Sequence, residues 1–174
     1  MKRQTIVIAI ILMGISFLCK AQTINTSKSK VLFEIQNFTI KKVKGTIKGM
    51  KGNLNFSPVS LSNSFFNVCI DPGTIDTGNA KRDTQLKNAE FFHIARYPEI
   101  CFISTSVEKS GISYKTTGRL TMHGVTKEVE ILFLHSGKTF TGKLKLNRLD
   151  YNIGPQATFP LSKDVTMKIE CVLD

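Results

Sequence analysis

Residues 113–134 read SYKTTGRLTMHGVTKEVEILFL, and this stretch decides the class of fold. It consists of two segments of alternating character that meet at a short turn containing Gly124. The positions that share one face on the two sides of this turn are Thr116, Gly118, Leu120, Met122, Val129, Ile131 and Phe133. A period of two is typical of a half-buried strand, so the stretch predicts an antiparallel hairpin.

The same alternation continues in both directions along the chain. About eight segments place apolar residues on one face and charged or polar residues on the other. Strands with one wet face are typical of an antiparallel sheet, and a sheet of this many strands must close or split into two layers. Glycines in the apolar phase, at positions 45, 49, 118 and 142, favour closure because a strongly coiled wall needs positions without a Cβ. We therefore predict an all-β, antiparallel barrel of about eight strands.

One segment, between Asn79 and Arg96, does not alternate. Its sequence is rich in polar residues and helix formers, and Pro98 follows it. We predict one or two short helices between residues 79 and 96, the first near 80–87 and a second near 88–95, with Asn88 as a cap. Three apolar side chains of this segment are expected to dock on the barrel, namely Leu86, Phe91 and Phe92.

The first 21 residues have the pattern of a secretory signal peptide. Two basic residues precede an apolar run that is too short to cross a bilayer, and small residues follow it. We predict cleavage near Ala21 and a periplasmic or secreted product. The alternative is a lipoprotein anchored through Cys19, which the bulky Leu18 before that cysteine disfavours. Residues 22–28 are predicted to form a flexible tail, and residues 29–174 a single domain.

The chain is strongly basic. Removal of Lys2, Arg3 and Lys20 with the leader lowers the formal charge from +11 to +8. This excess favours contact with an anionic membrane surface. We predict no nucleic-acid partner, because the lysines of residues 41–51 lie in the outward phase of a strand without interleaved aromatic residues.

Three cysteines follow the predicted cleavage site. An odd number leaves at least one of Cys69, Cys101 and Cys171 unpaired in a monomer, and their spacing leaves the pairing open. Cys171 shares a face with Ile169, whereas Cys101 alternates away from Phe102. Because free cysteine is commonly buried, we predict small apolar residues in or near the sheet in preference to a disulfide or a reactive thiol.

Four strings in the chain are specific enough to suggest a family. They are VKGTIKGMKGNLNF, IDTGNAKRDTQLKNAEFFHIARYPEICF, GRLTMHGVTKEV and NRLDYNIG, in that order. Together they resemble the YceI-like family of exported lipid-binding proteins, and the resemblance covers nearly the whole chain after the leader. It implies a lipocalin-like barrel in residues 29–174 whose interior holds a polyisoprenoid or a similar lipid.

Two sets of polar positions qualify the resemblance. Gln85 stands where relatives usually have a histidine, and His93 stands where they commonly have an acid after the paired aromatic residues. Any role of those groups cannot be transferred to this chain. Four charged residues do match the family strings, and we predict that they form either a structural set of ion pairs that braces loops or a head-group site: Arg82, Asp83, Arg148 and Asp150.

The inward face of the predicted strands is apolar along its whole length. The candidate ligand-binding residues on this face are Phe33, Ile35, Val43, Ile47, Phe56, Phe66, Val68, Phe102, Leu120, Met122, Ile131, Phe133, Phe140, Leu144, Met167 and Ile169. An eight-stranded barrel is either filled by side chains or just wide enough for a small ligand, and this list fits both outcomes. The family resemblance favours a cavity.

Motifs of catalysis and metal binding are absent from the sequence. There is no GxSxG, CxxC or HExxH string, and the three histidines have no ligand spacing. We predict no catalytic residue, no metal and no cofactor other than a bound isoprenoid lipid. Our main hypothesis is a carrier or scavenger of that lipid. The alternatives are a solid-cored structural or interaction module that acts through its basic surface, and an enzyme or antioxidant that acts on a bound isoprenoid, in one version through Arg82, Asp83 and Arg148. The lipid, the oligomeric state and the open end of the barrel are left undetermined.

Overall fold

The computed structural model describes residues 22–38 and 41–174, without the side chain of Lys41. Eight antiparallel strands form a closed barrel, and one short helix lies between two of them. This confirms the predicted fold class. The predicted signal peptide, with its cleavage site at Ala21 and the alternative anchor at Cys19, lies outside the described residues.

The strands follow one another in the chain as neighbours in space, except where the barrel closes. In chain order they are β1 (Gln22–Thr23), β2 (Lys30–Asn37), β3 (Lys41–Asn55), β4 (Phe65–Asp76), β5 (Ile100–Ser110), β6 (Ser113–Met122), β7 (Val125–Ser136), β8 (Thr139–Asn147) and β9 (Leu161–Val172). The order around the barrel is β2, β3, β4, β5, β6, β7, β8 and β9, and pairing of β2 with β9 closes it. The short β1 adds to the end of β3.

The two ends of the barrel differ in construction. At one end, which we call the aromatic end, lie the β5–β6 and β7–β8 turns and the connection 56–64. At the opposite end, the helical end, lie the β6–β7 turn and the connections 77–99 and 148–160. The first of these two connections contains α1 (Ala80–Lys87). The two longest connections therefore lie at the helical end, whereas the connections at the aromatic end are shorter.

Inward glycines let aromatic rings lie against the barrel wall. A Cβ on Gly45 would lie 2.5 Å from Cζ of Phe33, and a Cβ on Gly118 would lie 2.6 Å from Cζ of Phe102. A Cβ would also come within 2.9 Å of the carbonyl oxygen of Asp76 at Gly45 and within 2.5 Å of that of Ile103 at Gly118, which agrees with the expectation that a coiled wall needs positions without a Cβ. The two rings are thereby fixed on the inner face of the barrel.

The helical connection contains one helix, so the prediction of a second helix at 88–95 is wrong. The helix α1 begins after Asn79, whose side chain accepts a hydrogen bond from the backbone of Arg82 at 3.0 Å, and it ends at Lys87. The following residues form turns, and His93 has a φ of 47°. Phe91 and Phe92 both point into the barrel, which adjacent residues of a helix cannot do because they face different directions. Their docking, like that of Leu86, is as predicted.

Residues 22–28 are not the flexible tail that the sequence suggested. Gln22 and Thr23 pair with β3, and Ile24 pairs with Leu173 and is 6% exposed. Just after this segment, the hydroxyl of Ser29 accepts a hydrogen bond from the backbone of Val172 at 2.9 Å. Burial of Ile24 together with these backbone pairs outweighs the polar composition of the segment.

The cysteine prediction is wrong for two of the three cysteines. Cys69 and Cys101 form a disulfide between β4 and β5, where they stand directly opposite each other with Cα atoms 4.1 Å apart. Both alternate with inward residues on either side, and Cys69 also contributes to the cavity wall. Cys171 is free and buried, as predicted.

The buried side chains form two hydrophobic clusters inside the barrel, one toward each end. Several cavity-facing residues, among them Phe33, Phe102 and Ile169, pack against both clusters. Of the helices in the described part of the chain, none has the length and apolar character needed to span a membrane.

Candidate ligand-binding cavity

The barrel is hollow. A cavity of about 350 Å³ lies between the two hydrophobic clusters, and all eight barrel strands contribute side chains to its wall. This volume is within the range of about 300–1,000 Å³ that is usual for small-molecule sites. The solid-cored alternative required side chains to meet throughout the interior, and the cavity argues against it.

Alternation placed the lining correctly at almost every position. Fifteen of the sixteen predicted residues line the cavity: Phe33, Ile35, Val43, Ile47, Phe66, Val68, Phe102, Leu120, Met122, Ile131, Phe133, Phe140, Leu144, Met167 and Ile169. The sixteenth, Phe56, follows the end of β3 and is not part of the wall. Whether the fifteen contact a ligand stays a prediction.

Phe56 instead closes the aromatic end. Its ring makes edge-on contacts with Tyr114, Phe133 and Phe140, at centroid distances of 5.0, 5.6 and 5.3 Å. Phe133 and Phe140 also line the cavity. The aromatic cluster therefore forms a floor, and the cavity does not run through the barrel from end to end.

Sequence reasoning missed two groups of lining residues. Some lie on the strands: six continue the inward phase and could have been found by extending the same rule, namely Val31, Ile70, Ile100, Leu146, Val165 and Cys171. Met50 and Ile75 lie in the opposite phase to Ile47 and Ile70, because the pairing of β3 with β4 shifts register between them. Others come from the connections at the helical end: Leu86, Phe91, Phe92 and Ile153. Ile153 belongs to an irregular segment, where no periodic pattern predicts the direction of a side chain.

The cavity approaches solvent at the helical end. Four of its polar lining residues lie there, namely Asn37, Arg82, Gln85 and Arg148, and Gln85 is exposed to solvent. The deeper wall is apolar except for Thr116, whose hydroxyl donates to the carbonyl of Ser106 at 2.9 Å. The cavity is therefore lined by polar groups at the helical end and by aromatic rings at the aromatic end.

Arg82 and Asp83 brace the start of the helical connection. The Nε and Nη2 atoms of Arg82 donate to the hydroxyl and the carbonyl of Thr77, at 2.7 and 2.9 Å. The carboxylate of Asp83 accepts from the backbone N–H of Thr77 at 3.0 Å and from its hydroxyl. Arg82 lines the cavity, whereas Asp83 does not.

Arg148 organises the second connection. Its guanidinium, in a residue that is 3% exposed, donates five hydrogen bonds of 2.6–3.2 Å. The acceptors are backbone carbonyls of Ile153, Pro155, Ala157, Leu161 and Ser162. Burial lowers the pKa of Arg148.

The predicted ion-pair set does not form. Among the described residues, no salt bridge joins Arg82, Asp83, Arg148 or Asp150, and Asp150 instead accepts from the side chain of Asn147 at 3.3 Å. Arg82, Asp83 and Arg148 brace loops through backbone and hydroxyl groups, and Asp150 does so through the side-chain amide of Asn147. All five N–H groups of Arg148 are engaged, so it offers no hydrogen bond to a head group.

One group of side chains in the described residues has the spacing of metal ligands. Sulfur atoms of Cys69 and Cys101 and a carboxylate oxygen of Glu99 lie within 4.8 Å of one another. The two sulfurs are joined in the disulfide. Glu99 forms an ion pair with Lys51, with 2.6 Å between its carboxylate oxygen and Nζ of the lysine. The absence of a metal stays a prediction.

Comparison with known proteins agrees with the barrel. A family model described as the YceI-like domain matches residues 22–173. The protein YceI of Salmonella newport is 40% identical over 101 residues, which is 58% of this chain and 53% of that protein. The match thus spans about half the length of such curated relatives.

Solved structures show the same fold. The crystal structure of BcnA from Burkholderia cenocepacia superposes with a TM-score of 0.78 at 24% identity, covering 86% of this chain and 98% of that one. A polyisoprenoid binding domain from Saccharophagus degradans, described as implicated in plant cell wall breakdown, has a TM-score of 0.65 at 14% identity. It covers 88% of this chain and 98% of its own.

Proposed function

The chain belongs to the YceI-like domain family, and on that premise we propose that it binds a long apolar lipid, polyisoprenoid in character, inside its barrel. The observation that carries the proposal is the cavity of about 350 Å³ with its apolar wall and aromatic floor. The polyisoprenoid binding domain of Saccharophagus degradans has the same fold, which supports this class of ligand.

The physics of such a site favours exchange over storage. Each isoprene unit that leaves water contributes about 4 kcal/mol gross, at about 0.8 kcal/mol per carbon. Ordering of a flexible chain and its competing solubility in a membrane remove most of this gain. We therefore propose carriage or sequestration of the lipid, without chemical conversion and without a further cofactor.

Export completes the proposal. The predicted signal peptide supports a mature protein that works in the periplasm or outside the cell. The disulfide between Cys69 and Cys101 is consistent with that compartment, because disulfides persist where conditions are oxidising.

Binding can be tested with purified protein and a blocked cavity. We expect native mass spectrometry and lipid extraction to find a prenyl lipid in the protein, or the protein to bind added geranylgeraniol saturably. The substitution Ile169→Trp places a larger side chain in the cavity wall and should lower this binding at least about tenfold by filling the space that the ligand needs.

A matched control lies on the outer wall. Leu132 is 52% exposed and neighbours the cavity-lining Ile131, so Leu132→Trp adds the same bulk outside the barrel and should leave binding unchanged. Equal loss in the two variants, or a wild-type protein that carries no lipid and refuses geranylgeraniol, contradicts the proposal.

A further inference from the structure

Two large aromatic residues are exposed beside the cavity mouth. Phe38 is 59% exposed and Phe159 is 69% exposed, and their rings stack with centroids 6.1 Å apart and planes 13° apart. We call them the rim pair. They belong to different segments, since Phe38 follows β2 and Phe159 precedes β9.

The rim pair is fixed to the wall of the cavity. The backbone N–H of Phe38 donates to the carbonyl of Pro160 at 2.8 Å. Asn37 directly precedes Phe38, and Leu161 directly follows Pro160. Asn37 and Leu161 pair across β2 and β9, and both line the cavity. A surface that covers the rim pair therefore also covers this part of the mouth.

The loop that carries Phe159 is held in place by the buried Arg148. Arg148 donates hydrogen bonds to the carbonyls of Ala157 and Leu161, at 2.9 and 3.2 Å, on either side of that residue. Exposure of the ring is thus a feature of a braced loop. Burying two such rings in an apolar medium is favourable, because each has a large apolar surface in contact with water.

Positive charge is in excess around the rim pair, where Lys42 and Lys44 pair with Glu34, and Lys145 pairs with Asp164. Residues 35–52 and 151–163, which include Phe38 and Phe159, contain no Asp or Glu but several lysines. Lys163 is exposed and makes no ion pair among the described residues. Arg148 adds a buried positive charge that no carboxylate balances at ion-pair distance.

We propose that the rim pair is a membrane-docking site, at which the barrel mouth rests on an anionic lipid surface with Phe38 and Phe159 inserted at the interface. Aromatic rings at the level of the head groups with cations around them are typical of interfacial binding. The inference rests on the proposed function for its purpose, which is direct exchange of an apolar chain between bilayer and cavity. The docking itself can be measured without that ligand.

A single tryptophan can report the docking, because the chain contains none. We compare Phe159→Trp with Ile112→Trp, whose site is 91% exposed in the β5–β6 turn of the aromatic end. With vesicles of phosphatidylcholine and phosphatidylglycerol, we expect a blue shift and quenching by brominated lipid for Phe159→Trp only. Added salt, or vesicles of phosphatidylcholine alone, should weaken the response because the lysines lose their attraction to the surface.

Loss of the aromatic rings should abolish the docking. The double variant Phe38→Ser and Phe159→Ser should sediment with these vesicles at least about tenfold more weakly than wild type. The double variant Val59→Ser and Ile112→Ser, at sites 96% and 91% exposed at the aromatic end, should match wild type.

Three results overturn the inference. They are an absence of vesicle response in Phe159→Trp, an equal response in Ile112→Trp, and a blue shift that grows with protein concentration without vesicles, which indicates a second copy of the chain on the rim pair. Geranylgeraniol binding in vesicle-free solution separates the two proposals. If it persists while docking fails, only the rim inference falls; if docking persists without it, only the proposed function falls.

Discussion

At the scale of single residues, Arg148 shows how a buried charge can be satisfied without a carboxylate. Its five hydrogen bonds to carbonyls hold together residues 153–162 at the helical end. Hydrogen bonds from charged donors contribute more than neutral ones, and their removal leaves carbonyls unsatisfied. The residue is therefore a structural centre of the cavity mouth.

Replacement of Arg148 should be costly. We expect Arg148→Met to lower the free energy of unfolding by about 3 kcal/mol in urea titrations, since the loop loses all five bonds. Arg119→Met, at an exposed position on β6, should change it by less than about 0.5 kcal/mol. Similar values for the two variants contradict the structural role of Arg148.

Cys171 gives a pH dependence with a defined sign. Burial raises the pKa of its thiol from 9.0 to about 11, so the folded protein keeps the proton longer than the unfolded chain. The stabilisation is complete below pH 9 and is lost as the pH rises from about 9 to 11. This difference in pKa between the folded and the unfolded protein corresponds to a loss of free energy of unfolding on the order of 3 kcal/mol.

The measurement is the free energy of unfolding across this pH range, compared between wild type and Cys171→Ala. The variant should lose less stability as the pH rises. Tyr151, whose pKa burial raises to about 12, contributes in the same direction in both proteins and so cancels in the comparison. Parallel curves for the two proteins contradict the assignment.

At the scale of elements, the seam between β4 and β5 depends on the disulfide. The two strands pair at only four positions, from Asn67 with Ile103 to Ile70 with Ile100, before the chain parts around the helical connection. The Cys69–Cys101 bond lies near the end of this short seam and links residues 32 apart in sequence. It restricts the unfolded chain as well as joining the wall.

Reduction should therefore destabilise the barrel by about 3–4 kcal/mol, the order expected for a loop of this length. Urea unfolding with and without dithiothreitol measures the effect. The double variant Cys69→Ala and Cys101→Ala should match the reduced protein and should not respond to dithiothreitol. If the stability of the variant also changes with dithiothreitol, the effect of the reductant does not come from this disulfide.

The elements also show what the sequence can and cannot predict. Alternation placed the barrel strands and fifteen lining residues, because a residue's face in a strand follows from its position alone. It failed at Phe56, which lies beyond the end of β3, and at residues 88–95, where two adjacent phenylalanines must both enter the barrel.

Partners distant in sequence were likewise beyond a local pattern. The disulfide depends on the register between β4 and β5, which the chain sets through a long connection. The ordered structure of residues 22–28 depends on pairing with the end of β3 and with Leu173, which follows β9. The acceptors of Arg148 are backbone carbonyls, which every residue has, so no residue type marks them.

At the scale of the whole molecule, the barrel is asymmetric along its axis. Phe56 and its aromatic neighbours close one end, whereas polar residues and the rim pair surround the other. A chain that enters at the helical end meets a floor before it has crossed the barrel. The cavity therefore has a fixed capacity, which means that it can hold only a limited length of apolar chain.

A fixed capacity predicts how affinity depends on ligand length. Along the series farnesol, geranylgeraniol and solanesol, we expect Kd to fall by about tenfold per added isoprene unit while carbons still enter the cavity, because only part of each unit's gross transfer energy survives as net affinity. Beyond the capacity, further units remain outside the wall and Kd should level off. Displacement of a fluorescent apolar probe measures all three ligands under one set of conditions.

In Ile169→Trp the same plateau should begin at a shorter chain, because the added ring occupies cavity volume. A Kd that keeps falling through solanesol, equally in wild type and variant, contradicts a closed floor and places the ligand on an open surface instead.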